Sequence, residues 1–253
     1  MNRLFRTEGI VLRSIKLNEA DKIVIIYSSD YGKIRGIAKG VRKTKSQFGS
    51  SMENLTIVKL LLFKGKSINI ISQSEIINSF FSQCKDLFRY GLAIHCSEII
   101  DKLSVEEDPN IKLYNLFKNL LLLLRDDHNP ILLVESFKWK LVTLLGYQPE
   151  LKKCIHCHNL VNKEKNYIFD IARGGLSCLK CQEKEDYYKI KITNYHIRLI
   201  QRIIEIDLER IHNKKIDQSI LSTLSKITDM YLVYHFEVEN RSKNFLNGLK
   251  LLK

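Results

Sequence analysis

Over the first 76 residues short runs rich in apolar residues, separated by turn residues, read as strands, and one of them alternates with period two. Glu8–Ile15 (EGIVLRSI) reads as a half-buried strand and Asp21–Ser28 (DKIVIIYS) as a more buried one. After the turn SSDYG, the run KIRGIAKG puts Lys33, Arg35, Ile37 and Lys39 on one face and Ile34, Gly36 and Ala38 on the other. The small second face allows close packing, while the first offers cations to solvent. NLTIVKLLLFK and SINIISQSE follow as two strands joined across KGKS, a hairpin signal. Five short strands in so short a stretch suit a small closed barrel, of which the OB-fold is one type.

From Ile76 onward the period becomes helical. Phe80, Cys84, Leu87, Phe88, Cys96, Ile99 and Leu103 share one helical face, and EEDPN breaks that helix. Ile111–Leu124 forms a second helix. Asn129 caps a third, with Pro130 at its first position and Gly146 just past its end. Glu150–Glu183 has little periodicity and reads as an insertion between helices; helical patterns resume at Thr193–Ile211 and Asp217–Phe236. The tail ENRSKNFLNGLKLLK is short, basic and partly apolar. The expected class is α+β: a five-stranded barrel domain over residues 1–80, then a helical domain over 81–253 with an insertion at 150–183. No internal repeat interrupts this plan.

Composition adds a partner to the picture. The 253 residues are 45% hydrophobic, enough for a sizeable core, and carry a formal charge of +13, which suggests a polyanion. The N-terminus lacks the apolar region of a signal peptide. Apolar runs such as Leu120–Leu124 fall far short of the ~20 residues of a membrane helix. A soluble cytoplasmic protein is therefore expected, with no membrane partner and with its six cysteines reduced or metal-bound.

Cys154, Cys157 and His158 spell C-x-x-C-H, which can mark c-type haem attachment. A second pair, Cys178 and Cys181, changes the reading. C-x2-C, twenty residues, C-x2-C is the spacing of a four-cysteine zinc site, and Zn2+ accepts four thiolates tetrahedrally. One structural Zn2+ on Cys154, Cys157, Cys178 and Cys181 is expected, since four thiolates leave no open position for catalysis. His156 and His158 are competing ligands, and Lys152, Lys153, Arg173 and Lys180 lie near enough in sequence to offset the net −2 charge of such a site. Cys84 and Cys96 lie on apolar helical positions and read as core.

The charge is concentrated. Residues 1–80 hold 14 Lys and Arg against 6 Asp and Glu, and Tyr31–Met52 (YGKIRGIAKGVRKTKSQFGSSM) contains no acid. Lys33, Arg35, Lys39, Arg42, Lys43 and Lys45 are the candidate nucleic-acid contacts, with Tyr27, Tyr31, Phe48 and Phe63 as nearby rings on which bases can stack. The glycines of this run do not form a phosphate loop, and no metalloprotease, serine-hydrolase or deaminase motif occurs. Acidic pairs such as Asp126–Asp127 read as solvated turns. No catalytic constellation or small-molecule substrate is evident, so a non-enzymatic protein is expected. Its alternative is a zinc-stabilised module that bridges proteins and whose basic face serves only solubility.

FRTEGIVLRSIKLNEADKIVIIYSSDYGKIRGIAKGVRKTKS, with LLLFKGKSINIISQSEI, FKWKLVTLLGYQPELKKCIHC and FDIARGGLSCLKC, closely resembles the RecO family of bacterial DNA repair and recombination mediators. The resemblance spans residues 5–181 in the family's order. It implies an N-terminal OB-fold, a helical domain and a zinc-binding insertion. It further implies binding of single- and double-stranded DNA, annealing of complementary strands without ATP, and partnership with RecR. With RecR, such proteins help load RecA onto DNA coated by single-stranded DNA-binding protein, whose acidic tail they contact. His158 stands where the family more often has a small residue.

Overall fold

The computed structural model describes residues 4–162, 166–181 and 187–238. The basic tail 239–253 and residues 1–3, 163–165 and 182–186 lie outside the described residues. Compactness divides the chain in two between Asp126 and Asp127.

The first unit opens with five strands: β1 (Leu4–Lys16), β2 (Lys22–Ser28), β3 (Gly32–Ala38), β4 (Thr56–Phe63) and β5 (Asn69–Ser79). The long β1 serves two neighbours, pairing antiparallel with β4 over Leu4–Ile10 and with β2 over Gly9–Lys16. β2 pairs with β3 and β4 with β5, also antiparallel. A short parallel contact, Gly36 opposite Asn69 and Ile37 opposite Ile70, closes the ring in the order β1-β2-β3-β5-β4. This is the five-stranded OB arrangement. Its core holds Val11, Val24, Ile26, Ile34, Ala38, Val58, Leu60, Leu62 and Ile71, plugged by Phe48 and Met52 from the turn after β3. The alternation read in KIRGIAKG is the real one. Ile34 and Ala38 are buried, and a Cβ on Gly36 would lie 2.8 Å from Ile71.

Three helices complete this unit: α1 (Phe80–Gln83), α2 (Leu87–Leu103) and α3 (Ile111–Leu124). The helix expected from Ile76 starts later. Ile76–Ser79 stay in β5, held by pairing to β4 as far as Thr56–Ser79, and ladder hydrogen bonds override a local helical period. The pattern then breaks at Asp86, whose carboxylate caps α2 by accepting from the N–H groups of Phe88 and Arg89. Cys84 and Cys96 are both buried. Helices α2 and α3 lie with the barrel because polar contacts reinforce their packing. Ser97 Oγ donates to the Leu12 carbonyl at 3.1 Å, and Arg13 pairs with Asp101 at 2.5 Å. Glu8 accepts from both the Tyr114 hydroxyl and Lys118 Nζ at 2.6 Å.

The second unit is built on α4 (Pro130–Leu144), with Asn129 as its cap and Gly146 past its end at φ +87°. Around it lie α5 (Asn194–Glu205), α6 (Leu208–Ile211) and α7 (Gln218–Phe236). The helix expected over Thr193–Ile211 is therefore two, separated at Ile206–Asp207, where the backbone is extended. Since α4 is buried nearly all round, its charged residues need internal partners: Lys138 Nζ contacts Glu135 at 3.1 Å and Asp229 at 3.0 Å. Asp127 is not a solvated turn residue. It is 1% exposed, and its carboxylate accepts from the N–H groups of Asn129 and Asn213. The cysteine segment is a small sheet of β6 (Glu150–Cys154), β7 (Tyr167–Asp170), β8 (Gly175–Cys178) and β9 (Lys189–Ile192), in the order β6-β8-β7-β9. Strands of four or five residues are too short to show alternation. No helix among the described residues is long and apolar enough to cross a membrane.

Two predictions concern the first unit. Burial raises the affinity of Glu8 for its proton, but hydrogen bonds from Lys118 and Tyr114, with the charges of Lys118 and Lys59, outweigh it and hold the carboxyl below its usual 4.5. Its contribution is therefore present above pH 4.5 and lost as pH falls through the lower folded-state value. Urea unfolding from pH 7 to 3 should show a stability gap between wild type and Lys118→Met that is largest near neutrality and closes on acidification. Gly32 adopts φ +63°, and an added Cβ would lie 2.1 Å from the Asp108 carbonyl oxygen. Gly32→Ala should cost at least about 2 kcal/mol in the same assay. Gly49→Ala, at φ +49° with nothing within 4 Å, should cost only about 1 kcal/mol of backbone strain.

Candidate nucleic-acid interface and metal centre

The six cations singled out in the sequence separate into two environments. Lys33 and Arg35 project from β3 toward the end of α2 and the segment after it. Lys33 Nζ donates to the Asp101 carbonyl at 2.6 Å and lies 3.7 Å from its carboxylate, while Arg35 pairs with Glu106 at 2.6 Å. The Glu107 N–H donates to the Lys33 carbonyl at 3.0 Å, so this segment also covers the β3 backbone. The first two cations of the expected solvent face are thus partnered by acids far away in sequence.

Lys39, Arg42, Lys43 and Lys45 follow on the turn after β3, and all four are exposed. None of them forms a salt bridge among the described residues. Hydrogen bonds to the β1–β2 loop hold this turn. Asp21 accepts from the Gly40 N–H at 2.7 Å, the Arg42 N–H donates to the Ala20 carbonyl, and the Arg42 guanidinium donates to the Asn18 carbonyl at 2.8 Å. The Gly40 and Asn18 hydrogen bonds lower the pKa of Asp21 against a small desolvation penalty, and the charges of Lys39 and Lys43 add to the effect. One loop thus braces another, and the lysine ammonium groups remain available to an anion.

The rings near this run are mostly core. Tyr27 is 1% and Phe48 4% exposed, and Phe63 is half-buried. Tyr31 alone of the four is well exposed, at 40%, and packs edge-to-face on Phe5 with centroids 4.7 Å apart. The sequence reading missed Phe5, whose position on β1 gives no local sign that it meets the β2–β3 turn.

In the second unit the four cysteines converge. Cys154 ends β6, Cys157 lies in the following turn, Cys178 ends β8, and Cys181 closes a single 3-10 turn. Their sulfurs all lie within 4.8 Å of one another, so that they can hold one metal ion. The Cys157–Cys178 separation is 3.9 Å, close to the edge of about 3.8 Å for four sulfurs placed tetrahedrally around an ion at 2.3 Å. The Cys178 N–H points at Cys154 Sγ from 3.4 Å. Desolvation favours the Cys154 thiol, but N–H groups of Cys157, Cys178 and His156 outweigh it and lower its pKa to about 6. Cys181 is pushed up to about 12 by hydrogen bonding to Cys178 and Cys157, then by desolvation and their charge. Four thiolates so close require a cation.

Neither histidine joins the cluster. His156 lies against Arg173, with Nδ1 3.0 Å from its guanidinium. His158 closes the turn with its N–H on the Cys154 carbonyl at 2.9 Å and a left-handed φ of +58°. That conformation favours glycine, so the His158 backbone is held in it at some cost in strain.

A barrel with a braced basic loop, accompanied by a helical unit carrying a four-thiol metal knuckle, defines the class of protein. Comparison with known proteins defines the family. The family model described as Recombination protein O N terminal matches residues 1–80, and that described as Recombination protein O C terminal matches residues 84–244. Proteins named DNA repair protein RecO are similar over essentially their whole length. That of Thermoanaerobacter sp. is 30% identical over 98% of this chain and 99% of its own. That of Acetivibrio thermocellus is 30% identical over 100% of both. The Alkaliphilus metalliredigens protein is 29% identical over 99% of each. The chain belongs to the RecO family of DNA repair proteins.

For the metal centre, titration of reduced apoprotein with Co2+ should saturate at one ion per chain, with the visible absorption of a tetrahedral thiolate complex. Uptake should release protons, notably from Cys181, so apparent affinity should fall as pH is lowered. Cys154→Ser should abolish the spectrum, whereas His158→Ala should leave it unchanged.

Proposed function

We propose that this chain is a non-enzymatic DNA-binding protein of recombinational repair, which engages single- and double-stranded DNA and anneals complementary strands without ATP. The observation that carries this reading is the braced, acid-free turn after β3, where Lys39, Arg42, Lys43 and Lys45 are exposed. Cations on a fixed loop neutralise phosphates on two strands and so lower the repulsion that slows their pairing. Lys33 and Arg35 belong to the same basic stretch, but they reach DNA only by leaving Asp101 and Glu106. Their contribution is therefore smaller.

The ion at Cys154, Cys157, Cys178 and Cys181 is Zn2+, in a structural role: four sulfur donors suit zinc and leave no position for substrate. Family membership supports the wider assignment, in the bacterial cytoplasm. Its partners there are RecR and the acidic tail of single-stranded DNA-binding protein, and its task is helping RecA onto coated DNA.

A salt series with labelled single-stranded oligonucleotide tests the DNA reading. Wild type should bind steeply, with a log–log slope of about −0.7 per phosphate contacted. Lys39→Glu/Arg42→Glu/Lys43→Glu should bind far more weakly and flatten the slope by about 2. Lys33→Ala/Arg35→Ala should change the slope less. Equal binding by wild type and the triple variant would move the DNA site off this loop. No binding by either would favour a protein-bridging module.

A further inference from the structure

A cleft of about 340 Å3 opens at the other end of β3, where Phe5, Tyr31, Ile34 and Pro109 form apolar walls. The volume falls within the range of small-ligand pockets, about 300–1,000 Å3. Tyr31 and Phe5 meet at 61°, and an edge-to-face pair leaves ring surface uncovered for a third ring.

The cleft is built rather than incidental. The Tyr31 N–H donates to Ser28 Oγ at 3.2 Å, which fixes the start of the turn. Gly32 takes a left-handed φ so that the Asp108 backbone can sit against it, and Glu107 itself holds φ +56° beside the cleft. Strained backbone on a wall held from both sides is what preorganisation of a binding site requires.

Its polar lining is specific. Lys64 is exposed and has no partner among the described residues, although Asp30 and Glu107 line the same cleft. Asp30 Oδ2 accepts from the Thr7 and Ser29 hydroxyls at 2.7 Å, while Oδ1 accepts from no described residue. The Asn69 amide donates to the Arg35 carbonyl at 3.1 Å, tying the β4–β5 hairpin to β3. Two carboxylates repel a phosphate from the interior but accept hydrogen bonds from an exocyclic amine, as acids do from cytosine. The lysine can meet a phosphate outside.

We propose that this cleft takes one unstacked base of bound single-stranded DNA, stacked on Tyr31, with Lys64 on the adjoining backbone and a preference for an amine-bearing base. The proposal rests on the DNA-binding reading above and gives it a direction. The strand runs along β3, from the basic loop to the Tyr31 cleft, a span of roughly 20 Å for seven residues. That path suits the few nucleotides one OB barrel accommodates. Duplex DNA, whose bases are stacked and paired, cannot use it.

The test uses the full chain and three oligonucleotides of about 12 nucleotides, a length within one barrel's reach: oligo-dC, oligo-dT and an abasic strand. Wild type should prefer oligo-dC to oligo-dT. Tyr31→Ala should weaken oligo-dC binding roughly tenfold, the order expected for one lost base stack, without changing the salt slope. Tyr31→Phe, which keeps the ring, should bind as wild type. On the abasic strand Tyr31→Ala and wild type should match. Equal binding of oligo-dC by wild type and Tyr31→Ala would overturn the proposal while leaving loop-mediated binding intact. So would an equal loss on the abasic strand, which would show that the tyrosine acts through the fold. A wild type without salt-steep binding to any of the three would overturn both this proposal and the function it rests on.

Discussion

Closure of the barrel is the constraint on which the first unit depends. Among the described strands of the barrel, β3 and β5 are the one neighbouring pair that runs parallel, and they pair over just Gly36–Ile37 and Asn69–Ile70. The approach is possible because Gly36 lacks a side chain and Ile71 fills the space beneath it. The first half of β3 therefore has no strand partner on that side. Backbone groups there need other partners, and the segment after α2 supplies one through the Glu107 N–H and the bridge between Lys33 and Glu106. This one substitution of loop for strand brings Asp101 and Glu106 to Lys33 and Arg35, and it also shapes the wall of the Tyr31 cleft.

The electrostatics follow from the same geometry. A basic stretch continuous in sequence becomes two surfaces, one neutralised by acids of the same unit and one left to solvent. Exposed ion pairs such as Arg35–Glu106 contribute little to stability, about 0–1 kcal/mol. Their larger effect is on binding, since an anion must displace a carboxylate at Lys33 or Arg35 but not at Lys39 or Lys43. The bracing of Gly40 and Arg42 by Asp21 and Asn18 holds the open cations in place without quenching them.

The second unit solves a different problem. Its central helix, α4, carries Glu135 and Lys138 in the core; Lys138 offsets its desolvation against both Glu135 and Asp229, while the like charge of Asp229 works against ionisation of Glu135. Its sheet has strands of only four or five residues, too short to be stable alone. A metal ion held by the ends of β6 and β8 would tie the two strands at the point where their pairing shifts register. Once loaded, the knuckle would add a crosslink where hydrogen bonding is sparse.

Some of this was legible in the residues alone. Short apolar runs, one of them with period two, marked all five barrel strands, Asn129, Pro130 and Gly146 marked the limits of α4, and the paired C-x2-C spacing identified the four cysteines, because these signals act within a few residues. Helix starts at Ile76 and a continuous helix to Ile211 were misread, since pairing of β5 to β4 and the break at Asp207 compete with a local apolar period. Sequence could not reveal that Asp101 and Glu106 meet Lys33 and Arg35, that Tyr27 and Phe48 are core, or that Phe5 meets Tyr31. Those contacts join residues more than twenty positions apart or depend on which face closes inward. The chain by itself determined its strands, its paired cysteines and its supply of positive charge. Tertiary structure alone decided which charges and which ring face outward, because burial and ion pairing are set by neighbours that the folded barrel brings together.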